Sequence, residues 1–508
     1  MDAPVQLLVA DRVRTLAPGK PEAHAVLVVD DRIAWVGSDP DDAPRRGAER
    51  IDLPGTLLQP AFVDSHAHLT ATGLALGGVD LSVCESAADC VAAVQAVAEI
   101  TPGRVIWGSG WDDLTYPEGR PPTGDELAKA SGGRPVLLAR ADGHSALVDR
   151  FSLETAPLER AEGVERDAEG HPTGLLRREA VHVVRRWFCG ELSDSELNEA
   201  REAVVRHAVS MGIASIHEMN GPDQMGARDF DAWLEGDWPI EVVGYWGAAD
   251  LDFAAERGLR QIGGALLLDG TLGSHTAALE EDYADAPHPG HLYESDHDLV
   301  RFLAEATRRR FQVGLHCIGD RAVRQAVEVL EAVVGTLGLR AVRAARHRLE
   351  HCALAPPQLI PRLARLGVVA TVQPNFDAMW GGRGGLYYRR LGRPRAERMN
   401  PLGPLADAGV TLAFGSDVAS SMFDPWATVS AAVAHHRPAF RVGVLTALQA
   451  ATIGGRKAAR QHRVGPIAPG QRADMAAFSL EDDQPERCVA TMVRGRVVHG
   501  PGAAGCAH

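Results

Sequence analysis

Two histidines separated by one residue, His66 and His68, are the side chains of this sequence best suited to chemistry. They follow a mostly apolar run over residues 57–63 that is typical of a buried strand. Side chains two positions apart on a strand point to the same face, so both imidazoles can converge on one point. Converging imidazoles suit a first-row metal such as zinc. An isolated pair is more often solvated in a turn, so the interpretation depends on further ligands.

Further metal-ligating residue types each close a short strand-like segment. They are His316 after residues 311–315, His351 after 346–350, and Asp417 after 411–416. Helical patterns lie between them, over residues 320–337, 356–366 and 402–408. This alternation is typical of parallel βαβ units, and in a closed (β/α)8 barrel the carboxyl ends of the strands meet over one mouth. The sequence therefore predicts an α/β barrel with its metal-ligating residues around one site.

The order of these motifs resembles that of the metal-dependent amidohydrolases. The stretches similar to their amidohydrolase-3 (YtcJ-like) branch are SHAHL, WGSGWDD, RADGHSALV, GHPTGLL, MGIASIHEM, LLLDGTLGSHTAAL, LHCIGDRAV, RLEHC, TVQPNF, RLGRPRAERMNP, LAFGSD and VGPIAPGQRADMAAF. The resemblance covers nearly the whole chain. It implies a (β/α)8 TIM-like barrel with the histidine pair at strand 1, single histidines ending strands 5 and 6, and an aspartate ending strand 8.

The two ends of the chain are predicted to build one domain. Strand-like alternation occurs over residues 6–16, 25–37, 473–480 and 488–499. The resemblance implies that such end segments form a small β-sandwich, here from residues 1–57 and 465–508, beside a barrel over 58–464. More than a hundred residues separate strand 1 from the next barrel-like strand, 212–217, which we assign to strand 3. That length exceeds one βα unit, so we expect an insertion within about 81–197 that walls the substrate pocket.

The composition agrees with an ordinary soluble enzyme that acts on small molecules. The 508 residues can bury a barrel core and a smaller domain, and no long uninterrupted apolar stretch predicts a membrane span. The net charge of −15 argues against nucleic acid or an anionic membrane as a partner. Seven cysteines without CxxC spacing favour a reducing cytoplasm. The resemblance also implies a homodimer, which is the family's habit.

One departure from the family restricts the metal site. Many binuclear amidohydrolases bridge their metals with a carboxylated lysine at the end of strand 4, and the matching position here is Ala265. The chain has three lysines, Lys20, Lys129 and Lys457, and none is placed by its surrounding pattern at the barrel mouth. A lysine-bridged site is therefore excluded.

Two arrangements remain open. In the first, one metal is held by His66, His68, His316 and Asp417, and His351 contacts the bound water or the substrate. In the second, a carboxylate replaces the lysine, with Glu218 as the bridge and His316 and His351 on a second metal. We favour one divalent metal, zinc, over two.

Roles follow from this chemistry. Asp417 would accept a proton from the attacking water and pass it to the leaving nitrogen, while His351 orients the water or stabilises the oxyanion. The predicted substrate-binding residues are His144, Gln373, Asn375 and Trp111. Asp269 is as well suited to forming a turn as to acting as an acid.

The predicted activity is metal-dependent hydrolysis of a C–N bond, in an amide or an N-acyl or N-formyl amine. A deaminase of a cyclic C–N substrate is the alternative enzyme. A catalytically silent barrel with a binding role is the third hypothesis, because a fold by itself does not determine a reaction.

Overall fold

The computed structural model describes residues 5–44, 47–100, 105–113, 116–141, 145–417, 423–501 and 503. Its strands are β1 (Val5–Arg14), β2 (Glu22–Val29), β3 (Arg32–Gly37), β4 (Glu49–Pro60), β5 (Phe62–Ala67), β6 (Val79–Asp80), β7 (Ile106–Trp111), β8 (Val136–Arg140), β9 (Ser145–Val148), β10 (Val164–Arg166), β11 (Pro172–Arg177), β12 (Ile213–Asn220), β13 (Glu241–Trp246), β14 (Gln261–Leu267), β15 (Gln312–Cys317), β16 (Arg348–His351), β17 (Val369–Val372), β18 (Thr411–Phe414), β19 (Met475–Glu481), β20 (Gln484–Val493) and β21 (Arg496–His499).

The helices alternate with the strands in the central part of the chain, as the sequence pattern predicts. They are α1 (Leu69–Leu76), α2 (Ala87–Ile100), α3 (Gly124–Ala130), α4 (Arg150–Thr155), α5 (Arg178–Glu191), α6 (Asp194–Ser210), α7 (Gly226–Glu235), α8 (Leu251–Glu256), α9 (Asp296–Arg308), α10 (Asp320–Leu337), α11 (Leu339–Ala345), α12 (Ile360–Leu366), α13 (Pro374–Trp380), α14 (Leu386–Leu391), α15 (Arg393–Ala396), α16 (Leu402–Asp407), α17 (Pro425–Ala434), α18 (Val444–Gln449) and α19 (Gly455–Ala458).

Parallel strands carry the predicted metal ligands. A three-stranded sheet has the order β13-β12-β5, and a five-stranded sheet has the order β14-β15-β16-β17-β18. Every pairing within these two sheets is parallel. The ends of β18 and β5 also meet, since the Asp417 amide donates to the His66 carbonyl oxygen at 2.8 Å. The carboxyl ends of β5 and β18 therefore lie side by side.

The strand numbering predicted from the sequence is wrong at one point. Strand β12, which was assigned to strand 3, pairs directly with β5 and is therefore the second strand of the series. The preceding residues form their own six-stranded sheet, in the order β10-β11-β9-β8-β7-β6. These strands bond to one another, so the long stretch after β5 adds no strand between β5 and β12.

Both ends of the chain meet in one mixed sheet. Its seven strands have the order β21-β20-β19-β4-β1-β2-β3, with β4 parallel to β1 and antiparallel to β19. Buried ion pairs join this sheet to the parallel strands: Arg456 and Arg472 both contact Asp474, at 2.7 and 2.6 Å, and Arg472 also contacts Glu241 at 2.6 Å. The second layer of a sandwich and the domain boundaries stay predictions. Within the described ranges, no helix combines the length and apolar character needed to cross a bilayer.

A buried neutral histidine precedes β16 and makes folding sensitive to acid. His347 Nδ1 accepts the Val313 amide at 3.1 Å, and Nε2 lies 3.0 Å from Thr307 Oγ1. Burial, with a smaller effect of Arg460, lowers the pKa of His347 from 6.5 to about 3. The folded state thus binds this proton more weakly than the unfolded state does. The resulting stability is fully present above pH 6.5 and is lost as the pH falls toward 3.

We expect the substitution His347→Asn to flatten this dependence. Asparagine keeps an acceptor for the Val313 amide but takes up no proton. Between pH 6 and pH 4 the free energy of unfolding should fall less steeply in the variant, by about 1.4 kcal/mol per pH unit. Urea denaturation of both proteins over this range measures the difference. Equal slopes would show that His347 does not contribute.

Candidate active site

Three predicted ligands form a compact group where β5 and β18 end. Nε2 of His66 and Nε2 of His68 each lie 3.3 Å from Oδ1 of Asp417. One ligand atom from each of these three residues lies within 4.8 Å of the other two. Because the two histidines are on one face of the same strand end and Asp417 is on the neighbouring strand, the donors converge on one point. We call these residues the His66–His68–Asp417 group.

A buried carboxylate at the base of the group ties its two strands together. Asp64 Oδ1 accepts the amide of His66 at 3.1 Å and the amide of Ser416 at 3.0 Å. Burial raises the pKa of Asp64 to about 6, although these hydrogen bonds oppose the rise. Gly415 allows the close approach, since a Cβ there would lie 2.6 Å from the His66 nitrogen. The spacing between the ligands is therefore built into the backbone.

A second buried carboxylate determines which nitrogen of His66 faces the group. Glu350 Oε2 lies 2.8 Å from His66 Nδ1, and Arg348 donates to both oxygens of Glu350, at 2.8 and 2.9 Å. Burial raises the pKa of Glu350, but Arg348 and His66 outweigh this effect and lower it below its ordinary value. Glu350 is thus an acceptor, so Nδ1 of His66 carries hydrogen and Nε2 is the nitrogen that faces the group.

The donor set and its charge fit a divalent cation. Two imidazoles and one carboxylate are a common ligand combination for zinc. Burial lowers the pKa of His66, but the carboxylates of Asp417 and Glu350 outweigh this effect and raise the pKa to about 9. In turn, burial raises the pKa of Asp417, but His66 and His68 bring it well below its usual value. The two carboxylates that favour a proton on His66 would equally favour a divalent cation at Nε2 in its place.

His316 and His351 lie together beside the group. Their ring centroids are 4.5 Å apart, and the rings of His351 and His66 are 5.0 Å apart. His351 Nδ1 lies 2.8 Å from Gln373 Oε1, which can only accept, so Nε2 of His351 keeps its lone pair. Burial and the neighbouring His316 lower the pKa of His351 to about 3. His351 is thus a neutral acceptor or ligand through Nε2, which argues against the predicted role of oxyanion donor.

The backbone is strained at two of these positions. His351 and Asp417 have φ values of 66° and 52°, in the left-handed region that residues other than glycine rarely occupy. Such a conformation costs roughly 1–3 kcal/mol and persists where the surrounding structure imposes it. The strain directs both side chains inward from the strand ends.

Glu218 has surroundings that do not suit a metal bridge. Its Oε2 accepts the Leu69 amide at 2.6 Å, and the carboxyl group is buried in β12. Burial, together with the charge of Asp229, raises the pKa of Glu218 well above its ordinary value. A carboxyl group that already holds the first turn of α1, in surroundings that disfavour its charge, is a poor bridging ligand.

Asp269 holds a loop. Its carboxylate accepts three backbone amides, from Ala278, Ile318 and Gly319, at 2.8 to 3.0 Å. Its Oδ1 lies 3.6 Å from His316 Nδ1. Asp269 therefore fixes the segment that follows β15, which agrees with the turn-forming role rather than with that of an acid.

A cavity of about 580 Å³ opens over these residues. The predicted ligands that line it are His66, His68, Glu218, His316, His351 and Asp417, and Ala265 lines it as well. Helix α5 of the stretch predicted as an insertion adds Val181 and Arg185 to the wall. The structure therefore brings all predicted metal ligands into one chamber, partly walled by that stretch.

The four predicted substrate-binding residues differ in their positions relative to the cavity. Gln373 lines the cavity, and its Nε2 has no hydrogen-bond partner among the residues that the structure describes. Asn375 is instead directed toward α17, where its Nδ2 donates to Thr428 Oγ1 at 3.0 Å, and it is absent from the described cavity lining. His144 lies outside the described residues.

The expectation for Trp111 is corrected by the structure. Its indole is buried in the core of the six-stranded sheet, and Nε1 donates to the Leu138 carbonyl at 2.9 Å. Simple alternation would put Trp107 and Trp111 on the same face, but the pairing of β7 with β8 shifts between Ser109 and Trp111. Gly110, with φ of 101°, supplies the extra bulged residue. Trp107 consequently lines the cavity and Trp111 does not.

Two residues that orient the site were not singled out from the sequence, namely Asp64 and Arg348. Each is a charged residue within a strand, two or three residues before a predicted ligand. Charged residues are almost never fully buried unless they are paired, so their positions inside predicted strands were the available signal. Asp64 binds the amide of Ser416, and Arg348 acts on His66 through Glu350. Ser416 and His66 are too distant in sequence from Asp64 and Arg348, respectively, for these contacts to be inferred from spacing.

Comparisons with known proteins agree with this geometry. The model of the Amidohydrolase family matches residues 49–499. This chain belongs to the amidohydrolase family. It is therefore a hydrolase acting on C–N bonds, of a family whose chemistry depends on a divalent metal.

Relatives of this amidohydrolase cover most of its length. Protein LONG AFTER FAR-RED 3 of Arabidopsis thaliana is 29% identical over 89% of this chain and 83% of the relative. Putative amidohydrolase YtcJ of Bacillus subtilis is 27% identical over 81% and 80%. The N-substituted formamide deformylase of Arthrobacter pascens is 23% identical over 96% and 95%. An uncharacterized metal-dependent hydrolase from Pyrococcus furiosus is similar in structure, with a TM-score of 0.75, 26% identity, and coverage of 94% of this chain and 100% of that one.

Proposed function

We propose that this amidohydrolase hydrolyses the C–N bond of an amide or of an N-acyl or N-formyl amine, with one zinc ion. The observation that carries the proposal is the His66–His68–Asp417 group, in which Glu350 directs Nε2 of His66 toward Asp417. The similarity to an N-substituted formamide deformylase supports the choice of an acyl or formyl amine. The eight parallel strands would close into a barrel, with the two chain ends as a separate small domain.

The residues of the chain supply proton transfer and orientation. His66, His68 and Asp417 would hold a divalent cation, which would polarise the carbonyl and make the attacking water more acidic. Asp417 faces the two histidines through Oδ1, and its Oδ2 lies 3.7 Å from His351 Nδ1. As the water oxygen bonds to the carbonyl carbon, Asp417 accepts the proton; it then returns the proton to the nitrogen as the C–N bond breaks. The products are a carboxylic acid and an amine.

Gln373 and His351 would place the reacting groups. The Gln373 amide nitrogen lines the cavity and is suited to donating to a carbonyl oxygen, while Oε1 holds His351. Since His351 presents a lone pair at Nε2, it can accept a hydrogen bond from the attacking water. This arrangement orients water and carbonyl without a second metal.

One metal is favoured because the described carboxylates offer no suitable bridge. Glu218 already accepts the Leu69 amide, and burial with the charge of Asp229 raises its pKa, which disfavours the anionic form that a bridge needs. We expect close to one zinc per chain by elemental analysis, and less than about a tenth of that in His66→Ala. His207→Ala is a matched control, because His207 lies on α6 outside the described cavity lining. Two zincs per chain would instead favour a second ion at His316 and His351.

A substrate panel tests the reaction. We expect release of amine and acid from N-formyl and N-acyl amines by the zinc-loaded protein, and no release of ammonia from cyclic amidines. Ammonia release with no amide hydrolysis would establish the deaminase. A zinc-loaded protein that turns over neither class would favour the silent binding barrel.

A further inference from the structure

One side of the cavity is an apolar wall next to His351. Phe376 and Trp380 of α13 lie with ring centroids 4.5 Å apart, and both remain partly exposed. Tyr387 of α14 meets Trp380 edge-on at 6.4 Å, and all three rings line the cavity. The Phe376 ring is nearly parallel to that of His351, with an interplanar angle of 12° and centroids 6.4 Å apart. The wall therefore begins at the reacting centre.

The helix that carries this wall is held from behind by a buried carboxylate. Phe376 and Trp380 are four residues apart and share one face of α13, whereas the Asp377 side chain is directed to the segment after α17. Asp377 is buried, and its Oδ1 lies 2.6 Å from His436 Nδ1 and 3.2 Å from His435 Nε2. Its Oδ2 accepts the His436 amide at 3.0 Å. The segment after α17 thus clamps α13 in place.

This second histidine–aspartate cluster is better suited to clamping than to metal binding. His435 Nδ1 accepts the Arg437 amide at 3.0 Å, so the hydrogen of the neutral ring is on Nε2, facing Asp377. A histidine that binds a metal through Nε2 normally donates from Nδ1, and that donation is blocked here. The two hydrogen bonds from His436 to Asp377 join the segment after α17 to α13 without an ion.

We propose that Phe376 and Trp380 form a subsite for a planar apolar substituent of the substrate, and that Asp377 is the residue that positions them. The inference deepens the proposed function and rests on it for the position of the scissile bond. Faces of aromatic side chains left partly exposed inside a cavity gain most by stacking on a planar group. The cavity of about 580 Å³ has room for such a group together with the amide.

The test compares three amides that differ in one group: N-methylacetamide, N-benzylacetamide and N-methylbenzamide. The second carries its ring on the amine side and the third on the acyl side. We expect at least one ring-bearing amide to have a higher kcat/KM than N-methylacetamide. Trp380→Leu should lower the ratio of the two kcat/KM values by about ten-fold, mainly by raising KM for the ring-bearing amide. The kcat/KM of N-methylacetamide, which has no ring to stack on Trp380, should fall much less than that of the ring-bearing amide. Phe376→Leu should act in the same direction.

Two further variants separate a subsite from general damage. Trp187→Leu alters a partly buried tryptophan of α5 outside the described cavity lining, and should leave all three amides unaffected. Asp377→Asn should raise KM for the ring-bearing amide more than for N-methylacetamide, with kcat changed little. A variant that merely misfolds would lower all activities together.

Binding keeps this test separate from the proposed reaction. If no amide is hydrolysed, calorimetric titration of the zinc-loaded protein with N-methylacetamide, N-benzylacetamide and N-methylbenzamide still reports on the subsite. Tighter binding of a ring-bearing amide that is lost in Trp380→Leu would support the subsite while the hydrolase proposal fails. Equal affinity for all three amides, or equal losses for all three in Trp380→Leu, would overturn the inference.

Discussion

Replacing Asp417 with asparagine is expected to lower kcat/KM by about a thousand-fold while the protein stays folded. Proton transfer by a positioned side chain contributes about 10²–10⁴-fold to rate, and asparagine cannot accept the proton of the attacking water. The hydrogen bond from the Asp417 amide to the His66 carbonyl oxygen does not involve the side chain and should persist. Steady-state kinetics with the best amide of the panel measures the loss.

A control is needed because Asp417 would also contact the proposed metal. Zinc content and the thermal midpoint of the Asp417→Asn variant distinguish a lost base from a lost ion. Asp407→Asn changes an exposed aspartate at the end of α16 and should match the parent protein in both rate and metal content. A variant that keeps zinc and more than a tenth of the parental kcat/KM would show that another group moves the proton.

The substitution Glu350→Gln is expected to weaken both metal binding and folding. Glu350 accepts hydrogen from His66 Nδ1 and neutralises the fully buried Arg348. Removing the partner of a buried charge typically costs about 3–5 kcal/mol, so we expect the free energy of unfolding to fall by about 3 kcal/mol. Loss of the group that orients a metal-binding histidine typically lowers metal affinity by about 10–100-fold.

The two effects separate in a double variant. Combining Glu350→Gln with Arg348→Met removes the uncompensated charge, so part of the lost stability should return. The metal affinity should not return, because His66 still lacks its anionic partner. Competition with a zinc chelator measures the affinity, and urea denaturation measures the stability. Unchanged zinc affinity in Glu350→Gln would contradict the orienting role of Glu350.

Features that depend on short separations along the chain were predictable from the sequence. The pairing of His66 with His68 follows from the period of two residues in a strand. Helix α10 has the predicted bounds, Asp320–Leu337, because its buried residues recur with helical spacing. The alternation of strands and helices placed His316, His351 and Asp417 at strand ends. The absence of a lysine near the mouth excluded one class of metal site.

Local patterns failed where a single residue changed the register. One bulged glycine, Gly110, turns Trp111 into the core although Trp107 faces the cavity. The polar pair His435 and His436 is typical of a solvated helix surface. Both side chains instead contact Asp377, which lies on a different helix, and His435 is buried. Period-based reasoning assumes an unbroken element, and neither position satisfies that assumption.

The sequence by itself determined the ligand types, the strand ends that carry them and the α/β class, because each depends on residues a few positions apart. Only the tertiary structure decided which nitrogens of His66 and His68 face Asp417, and which carboxylates are held by backbone amides or by Arg348 instead. His66 meets Glu350 across 284 residues, and Asp64 meets Ser416 across 352. Such contacts are set by which strands become neighbours, and that order is determined by packing of the whole chain rather than by local spacing.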